Sequence, residues 1–213
     1  FEGMKALDLF PVTIYQTEIP NNDYLKNLML SEIMEASDYL GVPSGWNTNK
    51  LKTSFEGEPE GMEVISKYRS YLETEYEKCL DEIFDKEYQV RLVDDNIWYN
   101  VYTDGEYQEL HDHIGEALNP FHWSCIHFLS FNKGEHNPPE FRDPITQIRQ
   151  LSVAMEKEWV GEYFVPDVQE GTFLMFPTYL QHRVPPCVKT DYPRVTFSFN
   201  LRVLQYGEQK WNG

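Results

Sequence analysis

The spacing of apolar residues changes character once along this chain. Between Asp23 and Leu40, Leu25, Leu28, Met29, Ile33, Ala36 and Leu40 recur three and four apart, which marks one face of a helix. Pro20-Asn21-Asn22 supplies a turn and helix start before it, and Gly41 and Pro43 end it. A second long helix is predicted from Met62 to Phe84, with Met62, Ile65, Tyr68, Leu72, Tyr76, Cys79 and Ile83 along one side. Residues 42–60 between the two show little periodicity and read as a loop, while Phe10 to Ile19 reads as a strand ahead of the first helix.

From Tyr88 onward the texture is short β-like runs broken by Asp, Gly, Asn and Pro. These are Val90–Val93, Ile97–Tyr102, Ser124–Phe131, Gly171–Phe176 and Arg194–Val203. Asn132 to Pro144, rich in Pro, Gly and charge, is expected to be a long loop and a candidate cover for a site. The fold class that follows is mainly β with flanking helices: an antiparallel sandwich or barrel, with the N-terminal helices packed outside. A single domain over residues 1–213 is expected, with 1–95 as strand and helical support, 96–203 as the β core and 204–213 as a tail.

Composition narrows the function classes. Eighteen basic against 35 acidic side chains give a net charge of −17, which argues against a nucleic-acid partner and for a solvated acidic surface. No apolar run approaches the roughly 20 residues of a membrane-spanning helix, and no basic region followed by an apolar core suggests secretion. Cys79, Cys125 and Cys187 are far apart and form neither a disulfide framework nor a CxxC site, so a cytoplasmic location is expected. Cys125, in an apolar run, reads as core.

The chemistry concentrates in Tyr-Asn-Val-Tyr-Thr-Asp-Gly-Glu-Tyr-Gln-Glu-Leu-His-Asp-His, residues 99–113. In a strand, residues two apart point the same way, so His111 and His113 would share a face. Alone, such a pair is more often a surface feature than a metal site, and His122, His127 and His136 default to structural roles, His127 to a core one. The combination with His182, just after the run Thr-Phe-Leu-Met-Phe-Pro, is stronger. Three imidazoles suit Fe, Cu, Zn or Ni and leave coordination positions open.

Along the last strand, Arg194, Thr196, Ser198 and Asn200 share one face, and Val195, Phe197, Phe199 and Leu201 the other. The polar face is either the solvent side of a sheet or the inside of a barrel. Inside a barrel, Arg194 needs an anionic partner, and a ligand carboxylate with a hydroxyl from Thr196 or Ser198 would provide one. Trp46, Trp123 and Tyr179 are candidates for a substrate cleft, with packing as the default for each.

These residues, in this order, resemble a known family. Tyr102-x-x-Gly105 followed by His111-x-His113 resembles the motif of prolyl-4-hydroxylase-type 2-oxoglutarate/Fe(II) dioxygenases. Gly171 to Pro177 with His182, then Arg194-x-Thr196-x-Ser198-Phe-Asn200, is similar to that family's second half. The opening Trp98, Asn100, Tyr102, Gly105, His111 and His113 is most similar to the small oxygenase-like proteins of bacteria and marine phages.

The resemblance implies a double-stranded β-helix, Fe(II) as metal and 2-oxoglutarate as cosubstrate. It further implies His111, His113 and His182 as ligands, and Arg194 on the distal carboxylate, helped by Tyr102 and by Thr196 or Ser198, with Asn100 lining the same pocket. The expected reaction couples oxidative decarboxylation of 2-oxoglutarate to oxidation of a substrate C–H, most simply hydroxylation. A small molecule or a peptide is the expected partner, in the host cytoplasm if a phage encodes the chain, and the long helices offer a face for a homodimer.

The sequence departs from the wider superfamily at one ligand, where His113 stands in place of the usual aspartate. Asp112 is adjacent, and strand alternation turns it away. Three neutral imidazoles leave two positive charges on Fe(II), which bound 2-oxoglutarate would neutralise. Two other readings compete: a three-histidine cupin-like oxygenase that does not use 2-oxoglutarate, and a jelly-roll binding or virion-associated module without catalysis.

Overall fold

The structure is a computed structural model, and it describes residues 12–48, 50–83, 88–114, 121–145 and 162–205. Ten strands and two helices are present among these residues: β1 (Tyr15–Glu18), α1 (Asn22–Ser37), β2 (Lys52–Thr53), α2 (Pro59–Ile83), β3 (Tyr88–Tyr102), β4 (Gln108–His111), β5 (Trp123–Ser130), β6 (Glu140–Arg142), β7 (Tyr163–Phe164), β8 (Thr172–Pro177), β9 (His182–Val184) and β10 (Arg194–Gln205). The strands form a six-stranded sheet in the order β1-β8-β5-β10-β3-β2 and a four-stranded sheet in the order β4-β9-β6-β7. Every pairing is antiparallel. This is the double-stranded β-helix, mainly β with two helices outside.

The apolar face of β10 explains why the helices sit where they do. Val195, Phe197, Phe199 and Leu201 are fully buried and form one cluster with Leu25, Met29 and Ile33 of α1 and Val64, Ile65 and Tyr68 of α2. Tyr68 stacks on Phe197 at 3.6 Å between ring centroids. The opposite face of β10 carries Arg194, Thr196, Ser198 and Asn200, and all four are buried too. That face therefore points into the barrel rather than to solvent. Ile126 and Phe128 of β5 join it, with Leu174 and Phe176 of β8 and Phe141 of β6, as a second apolar cluster between the sheets.

His127 belongs to the helix side, as a satisfied core histidine. Its Nε2–H donates to Asn22 Oδ1 at 2.8 Å, and its Nδ1 accepts from the Tyr68 hydroxyl at 2.7 Å. Burial pushes its pKa down to about 3 from an ordinary 6.5. The unfolded chain therefore binds a proton between these values that the folded chain does not, and stability falls as pH falls through this window. The loss from this residue is about 2 kcal/mol between about pH 7 and about pH 5. Urea unfolding of the His127→Gln variant is expected to show a stability gap to wild type that narrows by that amount at the acid pH. A gap independent of pH would remove His127 from the acid response.

Four expectations change. Residues 42–60 are not all loop, because Lys52–Thr53 form β2 against β3 and α2 begins at Pro59. The stretch 132–144 is not one loop: Glu140–Arg142 form β6, which pairs with β7 and β9. Val90–Val93 and Ile97–Tyr102 are parts of one strand, β3, whose register against β10 shifts between Phe199 and Leu201. His111 and His113 do point the same way, but His113 lies beyond the strand: β4 ends at His111, and the His113 N–H bonds the Thr178 carbonyl at 2.9 Å. The start of the first predicted strand at Phe10, the helix end at Phe84 and the tail from 206 lie outside the described residues, as do the side chains of Leu72, Tyr76, Cys79 and Ile83. No described helix is long and apolar enough to cross a membrane.

Candidate metal centre

The turn between β3 and β4 delivers the first histidine. Gly105 sits at φ +75°, a left-handed conformation that suits glycine, and swings the chain from the large sheet to the small one. The Glu106 carboxylate fixes this turn by accepting the N–H groups of Thr103 and Asp104 and the Cys187 thiol. Burial alone would raise its pKa, but these donors hold it low. On β4, His111 then pairs directly across the ladder with His182 of β9. That register brings together two histidines some seventy residues apart in sequence.

The ring centroids of His111 and His182 are 4.3 Å apart, those of His111 and His113 5.2 Å, and those of His113 and His182 5.1 Å. One nitrogen from each lies within 4.8 Å of the others. Asp112 is not in this cluster, and its Oδ1 accepts the Ile114 N–H at 3.3 Å.

The other ring nitrogen is committed in every case. His111 Nδ1–H donates to the Glu109 carbonyl at 2.7 Å and His182 Nδ1–H to the Leu180 carbonyl at 3.0 Å. His113 Nδ1–H meets Asn200 Oδ1 at 2.8 Å and Ser124 Oγ at 2.9 Å, and the Ser124 hydroxyl itself donates to Asn200 Oδ1 at 2.8 Å. Protonation at Nδ1 leaves each Nε2 with a free lone pair. Burial, and for two of them the neighbouring His111, lowers the pKa of all three: His113 to about 4, His182 well below its usual value, His111 in the same direction. Three neutral nitrogen donors converging on one point fit a borderline metal such as Fe(II).

Asn200 and Ser124 are cross-strand partners in the β10–β5 ladder, so sequence distance hides their joint role. Asn200→Ala is expected to weaken Fe(II) affinity by about 10- to 100-fold, the range for losing a partner that orients a ligand. Asn200→Asp, which keeps the acceptor, is expected to recover most of it in the same metal titration.

Deeper in the barrel, Arg194 pairs across β3 with Tyr102, Thr196 with Asn100 and Ser198 with Trp98. Arg194 is 1% exposed, and its Nε and Nη1 have no hydrogen-bond partner. Its guanidinium instead rests against rings, 4.6 Å from the Tyr102 centroid and 5.7 Å from that of Phe128. Burial pushes its pKa down, and burial also lifts the Tyr102 phenol to about 12 against the pull of Arg194. Asn100 Oδ1 is buried and unpartnered as well. A buried cation with open donors calls for an anion, so a carboxylate such as the distal one of 2-oxoglutarate fits this end.

A cleft of about 250 Å³ opens beside His111 and His113, walled by Trp46, Phe55 and Trp98. Of the aromatic residues offered by sequence for a cleft, Trp46 lines it; Trp123 packs instead against the helix-side core, and Tyr179 is exposed. Sequence reading missed Phe55, Gln108 and Glu109, which also line it. Gln108 Oε1 accepts the Tyr102 hydroxyl at 3.4 Å, and only the β4 register reveals that contact.

A double-stranded β-helix with three imidazoles at the mouth and a buried arginine inside defines a non-haem metal oxygenase architecture. Residues 96–200, which contain every residue of this site from Trp98 to Asn200, match the family described as "Putative 2OG-Fe(II) oxygenase". Through this segment, about half of its length, the chain is similar to the 2-oxoglutarate/Fe(II) dioxygenases, a family whose cofactor and cosubstrate are Fe(II) and 2-oxoglutarate.

Solved structures share the fold at low identity. A Pseudomonas putida prolyl-4-hydroxylase aligns with TM-score 0.57 and 10% identity over 92% of this chain and 94% of its own. A Trichoplax adhaerens prolyl hydroxylase in complex with a hypoxia-inducible-factor peptide gives 0.56 and 11% over 90% and 83%. HygX from Streptomyces hygroscopicus, with nickel, 2-oxoglutarate and hygromycin B bound, gives 0.56 and 12% over 89% and 82%. No curated protein matches the chain in sequence.

Proposed function

We propose that His111, His113 and His182 hold Fe(II) through their Nε2 atoms, and that Arg194 holds the distal carboxylate of 2-oxoglutarate. Tyr102 supports Arg194 from below, while Asn100, Thr196 and Ser198 line the same interior face. The observation that carries this reading is the convergence of three imidazoles whose Nδ1 atoms are all committed elsewhere.

The reaction is R–H + O2 + 2-oxoglutarate → R–OH + succinate + CO2. Iron, when bound, supplies oxygen activation, and the protein supplies orientation and a dry pocket. Arg194 sets the position of the cosubstrate and rejects acids of other length, because its open donors are met only at one depth in the barrel. Phe141 and Phe176 pack on His182 with centroids 5.6 and 4.9 Å away and exclude water from that side. Trp98 lies 5.5 Å from His113 and borders the cleft through which a small-molecule or peptide substrate reaches the metal. Residues 1–213 act as one domain with 96–203 as its catalytic core, and the buried thiols of Cys125 and Cys187 suit a reducing compartment such as the cytoplasm.

The test is an anaerobic titration of metal-free protein with Fe(II) and then 2-oxoglutarate, followed by visible absorbance. A weak charge-transfer band, from chelation of the keto acid to iron, is expected without any substrate. Bound iron with no band would favour an oxygenase that takes its substrate directly on the metal. No bound iron would leave a binding barrel without this chemistry.

A further inference from the structure

The cleft beside the triad has a chemistry of its own. Trp46 and Phe55 meet at 5.0 Å between centroids, and Phe55 and Trp98 meet edge-on at 5.3 Å, so the three rings form one continuous wall. Phe55 is 46% exposed, which leaves much of that wall open to a ligand. Two carboxylates, Glu109 and Asp112, share the cleft with these rings, and no Lys or Arg lines it among the described residues.

Two residues that line the cleft each carry a buried polar atom without a partner. Glu109 Oε1 accepts the Asn47 N–H at 3.0 Å, but Oε2 is buried with nothing to accept. Trp98 is 3% exposed, and its indole Nε1–H has no acceptor. An unmet carboxylate oxygen beside aromatic faces is the arrangement that recognises a cationic nitrogen, through the ring quadrupoles and a charge-assisted hydrogen bond. The unmet indole N–H asks the same ligand for an oxygen.

We propose that the substrate carries an ammonium or guanidinium group, held between the aromatic wall and Glu109, and a carbonyl-type oxygen that accepts from Trp98 Nε1. The inference rests on the oxygenase reading above and names the substrate class for that same cleft. Trp98 touches His113, so a C–H close to the anchored group faces the metal side of the cleft. In the reaction the substrate C–H breaks and a C–O bond forms. O2 receives two electrons from the substrate and two from 2-oxoglutarate, which leaves as succinate and CO2. The bound cation also explains how a cleft with two carboxylates tolerates a dianionic cosubstrate nearby.

The test titrates the metal-free protein with Nα-acetyl-L-lysine methylamide and with its uncharged counterpart Nα-acetyl-L-norleucine methylamide, read by tryptophan fluorescence and calorimetry. The lysine derivative is expected to bind about tenfold more tightly, the scale of a partly desolvated cation–π and carboxylate contact. Glu109→Gln keeps the backbone carbonyl that holds His111 and is expected to abolish the preference. Trp46→Leu, at a half-buried position, is expected to weaken the cationic probe more than the neutral one. Equal affinity, no binding of either probe in the millimolar range, tighter binding of Nα-acetyl-L-proline methylamide, or a preference that survives Glu109→Gln would each overturn the inference. The Fe(II)/2-oxoglutarate band needs no substrate, so an intact band beside an absent preference fails this inference alone, and a missing band fails the oxygenase proposal.

Discussion

Replacing His182 with alanine is expected to weaken Fe(II) binding by more than about a hundredfold and to erase the 2-oxoglutarate charge-transfer band. Loss of a partner that merely orients a ligand typically costs 10- to 100-fold, so loss of the ligand itself sets a larger floor. His182 is buried at 3% exposure and directly opposite His111, with its Nδ1 fixed by the Leu180 carbonyl and its ring seated between Phe141 and Phe176. Among the described residues the cluster holds no further donor, and Asp112 lies outside it. The fold is expected to survive. The imidazole is neutral and packs on Phe141 and Phe176, so alanine removes a polar group along with its packing, at a cost of roughly 1–3 kcal/mol. Metal titration beside thermal unfolding separates the two effects. An affinity close to wild type would take His182 out of the site, and a variant that fails to melt cooperatively would point to a structural role instead. Asp112→Ala is the control: retained iron there, with loss in His113→Ala, fixes the second ligand.

The long elements were legible because each carries a local signal. The helix face Leu25, Met29, Ile33 and the alternation Arg194 to Leu201 each repeat often enough to define a period, and both faces of β10 appear in the structure as read. The small sheet was not legible. β6, β7 and β9 are two or three residues long, and β6 holds a single apolar residue, Phe141, between two charged ones. Strands that short exist only through their partners, so no window of sequence reports them. The histidine pair shows the same limit from the other side. His111 and His113 converge as expected, but what holds His113 beyond the end of β4 is a backbone bond to the distant Thr178. The residues that finish the site, Asn200 with Ser124 behind His113 and Glu109 with Trp46 and Phe55 in the cleft, are contacts between distant segments, and nothing in the local pattern of any one of them announces the others.

Arg194→Met is expected to move stability and cosubstrate binding in opposite directions. Arg194 is a fully buried cation whose Nε and Nη1 have no hydrogen-bond partner, and its guanidinium rests against the rings of Tyr102, Phe128 and Phe131. A buried charge without a counter-ion is destabilising, and replacing it with an apolar side chain of similar length removes that penalty. The metal-free variant is therefore expected to be more stable than wild type by about 1–3 kcal/mol. The same change deletes a bidentate, charge-assisted contact to the distal carboxylate, worth roughly 2–5 kcal/mol in a buried setting, so the 2-oxoglutarate requirement should rise by about two orders of magnitude. Fe(II) affinity, set by the histidines, should change little. Thermal unfolding with and without 2-oxoglutarate reads all three: the melting temperature of the free protein rises, the ligand-induced increase disappears, and the metal titration is unaltered. A less stable variant with an unchanged cosubstrate requirement would place the carboxylate elsewhere. The opposition itself is the signature of a residue kept for binding, since a structural arginine at this depth would lose stability on replacement.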